Sequence, residues 1–358
     1  MIKPNYKLEE APARVPFLRS AKGFVLRMAN RTGMSSVVAA TKWRRERLLV
    51  LCYHGVSQDD EHKWSDLYIS PERLEQRLDL LKKLGSNIVP LDKAVDSLYA
   101  GELPQRAVSL TFDDGACDFS LKAVPILTAA RAHATLYLTT YYCGKDMPVF
   151  APFVSYLLWK GRGRTVLLPG INARVTIPQF VSDPAFTALH TALLQHAADT
   201  GMDAIAKNEF AKLVARAVGA DFEALSAKRI MHLMNPQEVR ALDPTLVSVQ
   251  LHTHRHRTPA SLAELQEELS RNAAEIAAMT GRDDVVSHFC YPSGRYSQDF
   301  VEWLRVSGVR SATTCVPNYS TKQTSPLEIP RFIDTMSVSA DTFEAWVMGS
   351  AAFTVRRK

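Results

Sequence analysis

The chain has 358 residues, 46% hydrophobic and 22% charged, a balance that supplies a full core and excludes a disordered or fibrous chain. Its net charge of +6 is uneven: residues 1–50 hold eleven Lys and Arg against Glu9, Glu10 and Glu46, so the rest is slightly acidic and a nucleic-acid-binding body is excluded. No run reaches the roughly 18–20 apolar residues of a membrane-spanning helix, and residues 1–50 lack the h-region and cleavage site of a standard signal peptide, so a cytoplasmic protein is expected.

Within residues 1–47, Phe17, Leu18, Phe24, Val25 and Leu26 interleave with Arg19, Lys22 and Arg27. That pattern reads as a basic amphipathic arm, suited either to an anionic membrane surface or to packing on the body with a solvated basic face. The apolar run 48–53, ending at His54, is expected as a strand buried on both faces. Ser70-Pro71-Glu72 opens a helix to about residue 84, with Ser as N-cap and Pro at the first position. A helix over 91–100 stops at Gly101. A strand over 107–112 delivers Asp113 and Asp114 at its C-terminal end, a helix covers 119–130, and a strand covers 134–139. This alternation argues for parallel strands with helical crossovers.

Residues 144–226 break the rhythm. Two β-like runs around Pro169-Gly170-Ile171-Asn172 predict a hairpin, and helices follow over 184–198 and 203–218. This is an insertion, read as a lid or substrate-binding flap. The alternation resumes with a helix near 236–242 and a strand over 246–251 that ends at His252. Then come a helix from the capping-box residue Ser261 to Gly281, a strand over 285–291, a helix over 298–307 and a strand over 309–314. A last helix covers 343–348. The expected domains are thus the arm 1–47, a barrel of 48–143 and 227–340, the insertion 144–226, and a C-terminal helix and tail, 341–358. Cys52, Cys117, Cys143, Cys290 and Cys315 are odd in number and widely spaced, which predicts reduced, mostly buried thiols rather than a disulfide framework or a structural zinc site.

His54, Asp113-Asp114, His252 and Pro292-Ser293-Gly294 all fall at predicted strand ends, where α/β barrels carry their chemistry. One Asp with two His offers an oxygen and two nitrogens to a divalent cation and leaves coordination positions open, while the neighbouring carboxylate is free for proton transfer. Such a donor set suits Zn²⁺, with Co²⁺, Ni²⁺ or Fe²⁺ also compatible.

The combination Thr111-Phe112-Asp113-Asp114-Gly115 and His252-Thr253-His254-Arg255-His256 resembles the NodB-homology polysaccharide deacetylases, carbohydrate esterase family 4. Tyr53-His54-Gly55-Val56 upstream looks like the circularly permuted branch that includes poly-N-acetylglucosamine deacetylases. The resemblance implies a distorted (β/α) barrel with an inserted subdomain and a metal-dependent N-deacetylase. Its substrate would be an amino sugar in a polysaccharide or lipid-linked glycan precursor, as in exopolysaccharide synthesis, met at the inner membrane face. It implies Asp114, His252 and His256 as metal ligands, Asp113 as general base, His54 as general acid, and Ser293, with Tyr291, at the oxyanion and substrate. Thr253 is expected to brace its loop and His254 to be a loop residue. The third motif departs from the family pattern: Cys290 stands where an arginine is usual and Ser293 where an aromatic is usual. Arg331, in Ile329-Pro330-Arg331-Phe332, is the candidate replacement partner for Asp113. Rival readings are another metal amidohydrolase, such as a deformylase, and a catalytically silent carbohydrate-binding scaffold.

Overall fold

The computed structural model describes residues 16–282 and 286–354. Eight strands form its central sheet: β1 (Leu49–Tyr53), β2 (Asn87–Ile88), β3 (Ala107–Phe112), β4 (Ala134–Leu138), β5 (Val247–Leu251), β6 (His288–Cys290), β7 (Ser311–Thr313) and β8 (Phe332–Ile333). The order is β7-β6-β5-β4-β3-β1-β8, with β2 beside β3, and every pairing is parallel. All residues of β1, β3 and β4 are buried, as expected of continuous apolar runs covered on both faces.

The two edge strands are joined by one short segment. Ile329 forms a parallel bridge with Thr313 of β7, and Phe332 pairs with Leu51 of β1. Residues 329–333 therefore close the curled sheet at a seam, giving a distorted (β/α) barrel. Arg331 lies on this closing segment.

Local signals explain the surrounding helices. Pro71–Lys83 starts where Ser70 accepts from Arg73 N–H, with Pro at its start, and Leu262–Thr280 starts at Ser261 and stops at left-handed Gly281, as caps require. Two expectations change. The helix over 119–130 begins as a π-turn, Phe119–Ala123, before Val124–Ala130; Pro125 has no N–H to give to a preceding carbonyl. Of the strand expected over 285–291, residue 285 lies outside the described residues; among the described ones His288–Cys290 is the strand, and Tyr291 leads into a 3-10 turn, Pro292–Gly294.

Between β4 and β5 lie the helix Phe150–Lys160, a hairpin of Thr165–Leu167 and Arg174–Thr176, and helices Pro184–Asp199, Ala204–Val218 and Phe222–Ala227. They bury a cluster containing Phe153, Tyr156, Leu193, Val214 and Ile230, separate from the barrel core of Leu51, Phe112, Leu136 and Phe289. The helices Pro16–Arg31, Met34–Ala40 and Lys42–Arg45 precede β1 and pack on the helix Ala340–Met348. Leu26 is buried, Arg27 Nε lies 3.0 Å from Asp341, and fully buried Arg44 donates to Val347 O at 2.8 Å and Arg47 O at 2.7 Å. The side chains of Phe17, Leu18, Arg19, Lys22 and Phe24 lie outside the described residues. No described helix is long and apolar enough to cross a membrane.

Candidate active site

The chain leaving β3 carries two adjacent carboxylates into different surroundings, because it turns between them. Asp113 continues the ladder, its N–H donating to Tyr53 O at 3.0 Å. Asp114 then turns into the left-handed region with φ 71°, followed by Gly115 at φ 83°. A Cβ on Gly115 would collide with the Leu138 side chain, so the turn requires glycine.

The Asp113 side chain is 3% exposed and held by a two-pronged ion pair, Arg331 Nη1 to Oδ1 and Nη2 to Oδ2, both at 2.7 Å. Arg331 is itself fixed by Thr111 Oγ1 at 3.1 Å and Thr314 O at 3.0 Å. Burial alone would raise the pKa of Asp113, but the Arg331 charge and hydrogen bonds outweigh it and hold the carboxylate well below its usual range. Two thiols complete the surroundings: Cys290 Sγ lies 3.4 Å and Cys52 Sγ 3.6 Å from Oδ2. His54 Nε2 is 3.7 Å from the same oxygen. The residue that replaces the third-motif arginine therefore still touches Asp113, and the arginine arrives from the barrel seam.

The Asp114 side chain is 38% exposed, with Oδ1 3.2 Å from His252 Nε2 and 3.3 Å from His256 Nε2. His252 Nδ1 lies 2.8 Å from the Cys290 carbonyl. A carbonyl only accepts, so Nδ1 carries a hydrogen and Nε2 is the nitrogen turned toward Asp114. Burial lowers the basicity of His256. Burial opposes charge on His252 as well, yet Cys290 and Asp114 outweigh it and push its proton affinity up. A carboxylate faced by two imidazoles calls for positive charge between them. The three ligand atoms lie within 4.8 Å of one another, so this donor set fits a divalent cation.

The histidine loop is braced by residues that pattern reading passed over. Asn272 Oδ1 accepts from His252 N–H at 2.9 Å, while its amide donates to Leu138 O at 2.9 Å and Thr140 Oγ1 at 3.1 Å. One turn earlier on the same helix, Glu268 accepts from Arg255 N–H at 2.8 Å and Arg255 Nη1 at 2.6 Å. Both are buried polar residues among the buried apolar positions Leu265, Leu269 and Ile276 of that helix, the one signal that could have exposed them. Thr253 Oγ1 accepts from Arg257 N–H at 3.2 Å, and His254 Nδ1 contacts Thr140 Oγ1 at 2.8 Å. Thr253, His256, Asp114 and Ser293 all have positive φ, between 52° and 71°, a concentration of backbone strain that marks functional sites.

Ser293 sits in the turn after β6 with φ 55°. The Tyr291 ring, expected at the substrate, is buried; its hydroxyl donates to Leu327 O at 2.9 Å and its N–H to Thr313 O at 3.4 Å. It packs edge-on against Phe289 and Phe300.

The parallel barrel gathers an Asp/His/His cluster and a separate buried aspartate at its strand ends, where such folds carry their chemistry. The sequence matches the family model described as polysaccharide deacetylase over residues 100–165 and 187–312, more than half its length, and the chain belongs to that family. It is accordingly an N-deacetylase acting on polysaccharide. Among solved structures, the fold is similar to a Streptococcus pyogenes deacetylase, PplD, in complex with acetate: 17% identity, TM-score 0.53, covering 83% of this chain and 96% of that one. IcaB from Ammonifex degensii is 18% identical, TM-score 0.51, covering 84% and 97%. A de-N-acetylase from Aggregatibacter actinomycetemcomitans is 18% identical, TM-score 0.51, covering 84% and 99%. These likenesses concern the fold. No curated protein matches the sequence.

Proposed function

We propose that the protein is a metal-dependent N-deacetylase of the permuted, poly-N-acetylglucosamine type, releasing acetate from an amino sugar in a polysaccharide or lipid-linked glycan precursor. The observation that carries this reading is the division of labour at the end of β3, with Asp113 clamped by Arg331 beside His54 and Asp114 facing His252 and His256.

Asp114, His252 and His256 are the residues that hold a divalent ion, of which Zn²⁺ suits the donors best. When bound, such an ion polarises the acetamide carbonyl and makes water acidic enough to attack at neutral pH. Asp113, kept ionised by Arg331, takes the proton of the attacking water. Its low basicity makes it a weak base on its own, so Arg331 contributes orientation and a constant charge state rather than proton affinity. As the carbon–oxygen bond forms and the carbon–nitrogen bond breaks, His54 in its protonated form delivers a proton to the departing amine. Its Nε2 shares an Asp113 oxygen, so base and acid sit on one carboxylate. The Ser293 N–H, presented by a left-handed turn, is the backbone donor for the developing oxyanion.

Five free cysteines, two of them against Asp113, suit a reducing compartment, and we assign the enzyme to the cytoplasm. A lipid-linked substrate would bring it to the inner membrane face, where the basic N-terminal residues would meet anionic lipid. The reading is tested by acetate release from purified protein, with and without chelator, across N-acetylglucosamine oligomers, formylated analogues and lipid-linked sugars. Chelator-sensitive acetate release is expected; release of formate alone would make it a deformylase. Equal binding of the intact chain and a chain lacking residues 1–45 to anionic vesicles would remove the membrane contact.

A further inference from the structure

Away from the Asp/His cluster, a groove of about 430 Å³ opens between the loop after His54 and the inserted helices, within the roughly 300–1,000 Å³ of ligand sites. It is lined by Trp64, Trp159 and Phe180, with Lys63, Asp66 and Gln179 among its polar residues. Phe180 is 70% exposed, a large aromatic ring that no core explains.

Aromatic faces interspersed with short-range donors and acceptors match one ligand chemistry well. A pyranose ring offers an apolar C–H face for stacking and a rim of hydroxyl and acetamide groups for hydrogen bonds. The groove wall is packed, through Tyr68, against the segment that follows His54. Gly55 follows His54 directly, and a Cβ there would strike the Tyr68 ring. Tyr68 packs on Trp64, with ring centroids 5.9 Å apart, and Trp64 forms the groove wall. The wall is anchored before any ligand arrives: Trp64 Nε1 donates to Ser155 Oγ at 3.3 Å, and Asp60 is held by Lys160 Nζ at 2.7 Å and by the Tyr156 hydroxyl. Such preorganisation lowers the ordering cost of binding.

We infer that this groove is a distal glycan subsite, in which Phe180 and Trp64 stack on N-acetylhexosamine units of the same chain whose acetamide lies at Asp113 and His54. The inference rests on the deacetylase reading for its substrate, and the subsite makes the enzyme selective for longer chains.

The test compares kcat/KM for N-acetylglucosamine oligomers from dimer to hexamer, together with tryptophan fluorescence on adding each oligomer. In the native chain the hexamer-to-dimer ratio should exceed one. Phe180→Ala should cut that ratio about tenfold, the scale of one lost apolar contact in a pocket, and abolish the hexamer-induced fluorescence change. Phe180→Trp should restore both. Phe180 is exposed, so neither substitution removes core packing. An unchanged ratio in Phe180→Ala overturns the subsite while leaving deacetylation standing. If no oligomer releases acetate, the deacetylase reading fails, and fluorescence alone decides the groove: a hexamer response lost in Phe180→Ala sustains it, and no response overturns it in favour of a non-glycan occupant.

Discussion

Asp113 and Asp114 are adjacent in sequence and differ in almost everything else. Asp113 is buried and its charge is balanced permanently by Arg331, a residue of the barrel wall. Asp114 is 38% exposed and faces two imidazoles whose nitrogens approach within 3.3 Å, the side proposed to hold the cation. In the proposed mechanism one strand end thereby supplies a fixed base and a loadable metal ligand. The pair teaches that role follows environment: two like carboxylates are pushed apart in function by what lies on each side of the strand.

The sharpest break of the loadable half is His252→Ala, which should bring acetate release to the uncatalysed background with loss of bound metal measured by elemental analysis. Retained metal and activity would place the cation elsewhere. On the fixed half, Asp113→Asn should lower kcat by about 10²–10⁴-fold while metal content stays native; undiminished turnover would remove Asp113 as the base. Arg331→Met leaves a buried carboxylate without its partner and should cost about 3–5 kcal/mol in urea unfolding. The double variant Arg331→Met/Asp113→Asn should recover much of that stability yet remain inactive, and equal instability of both would show that Arg331 acts through packing. His54→Ala should reduce turnover by about 10²-fold without metal loss; a near-native rate would move the acid to another group.

The smallest effect is on pH. Asp113 has a depressed folded pKa, so its stabilisation is complete above the unfolded value of about 3.9 and fades as pH falls through the folded one. The stability gap between the native chain and Asp113→Asn should therefore be flat from about pH 7 to 5 and narrow below about pH 4. A gap that narrows on raising the pH would contradict the ion-pair assignment.

Much of this site was legible because its residues sit in two short motifs at the ends of apolar runs. Thr111 to Gly115 and His252 to His256 needed only the rule that parallel strands present chemistry at their C-terminal ends. Arg331 was nameable but had no local pattern; its reach to Asp113 depends on residues 329–333 crossing the seam between β7 and β1. Asn272 and Glu268 brace the histidine loop from a helix whose periodicity reads as ordinary core packing. Tyr291 went the other way, a motif residue taken into the core because Leu327 and Phe300 offered it a better partner than solvent.

The groove shows the same division. The hairpin and helices between β4 and β5 were readable as an insertion, but Trp64 and Phe180 are more than a hundred residues apart and share no pattern. By itself the sequence determined the β-α-β rhythm, the carboxylate pair and the imidazole pair, because propensity, apolar runs and strand-end placement act locally. Only tertiary structure decided which aspartate is buried, where its arginine comes from and which aromatics share a surface, because burial and charge pairing depend on which distant segments the closing of the barrel brings together.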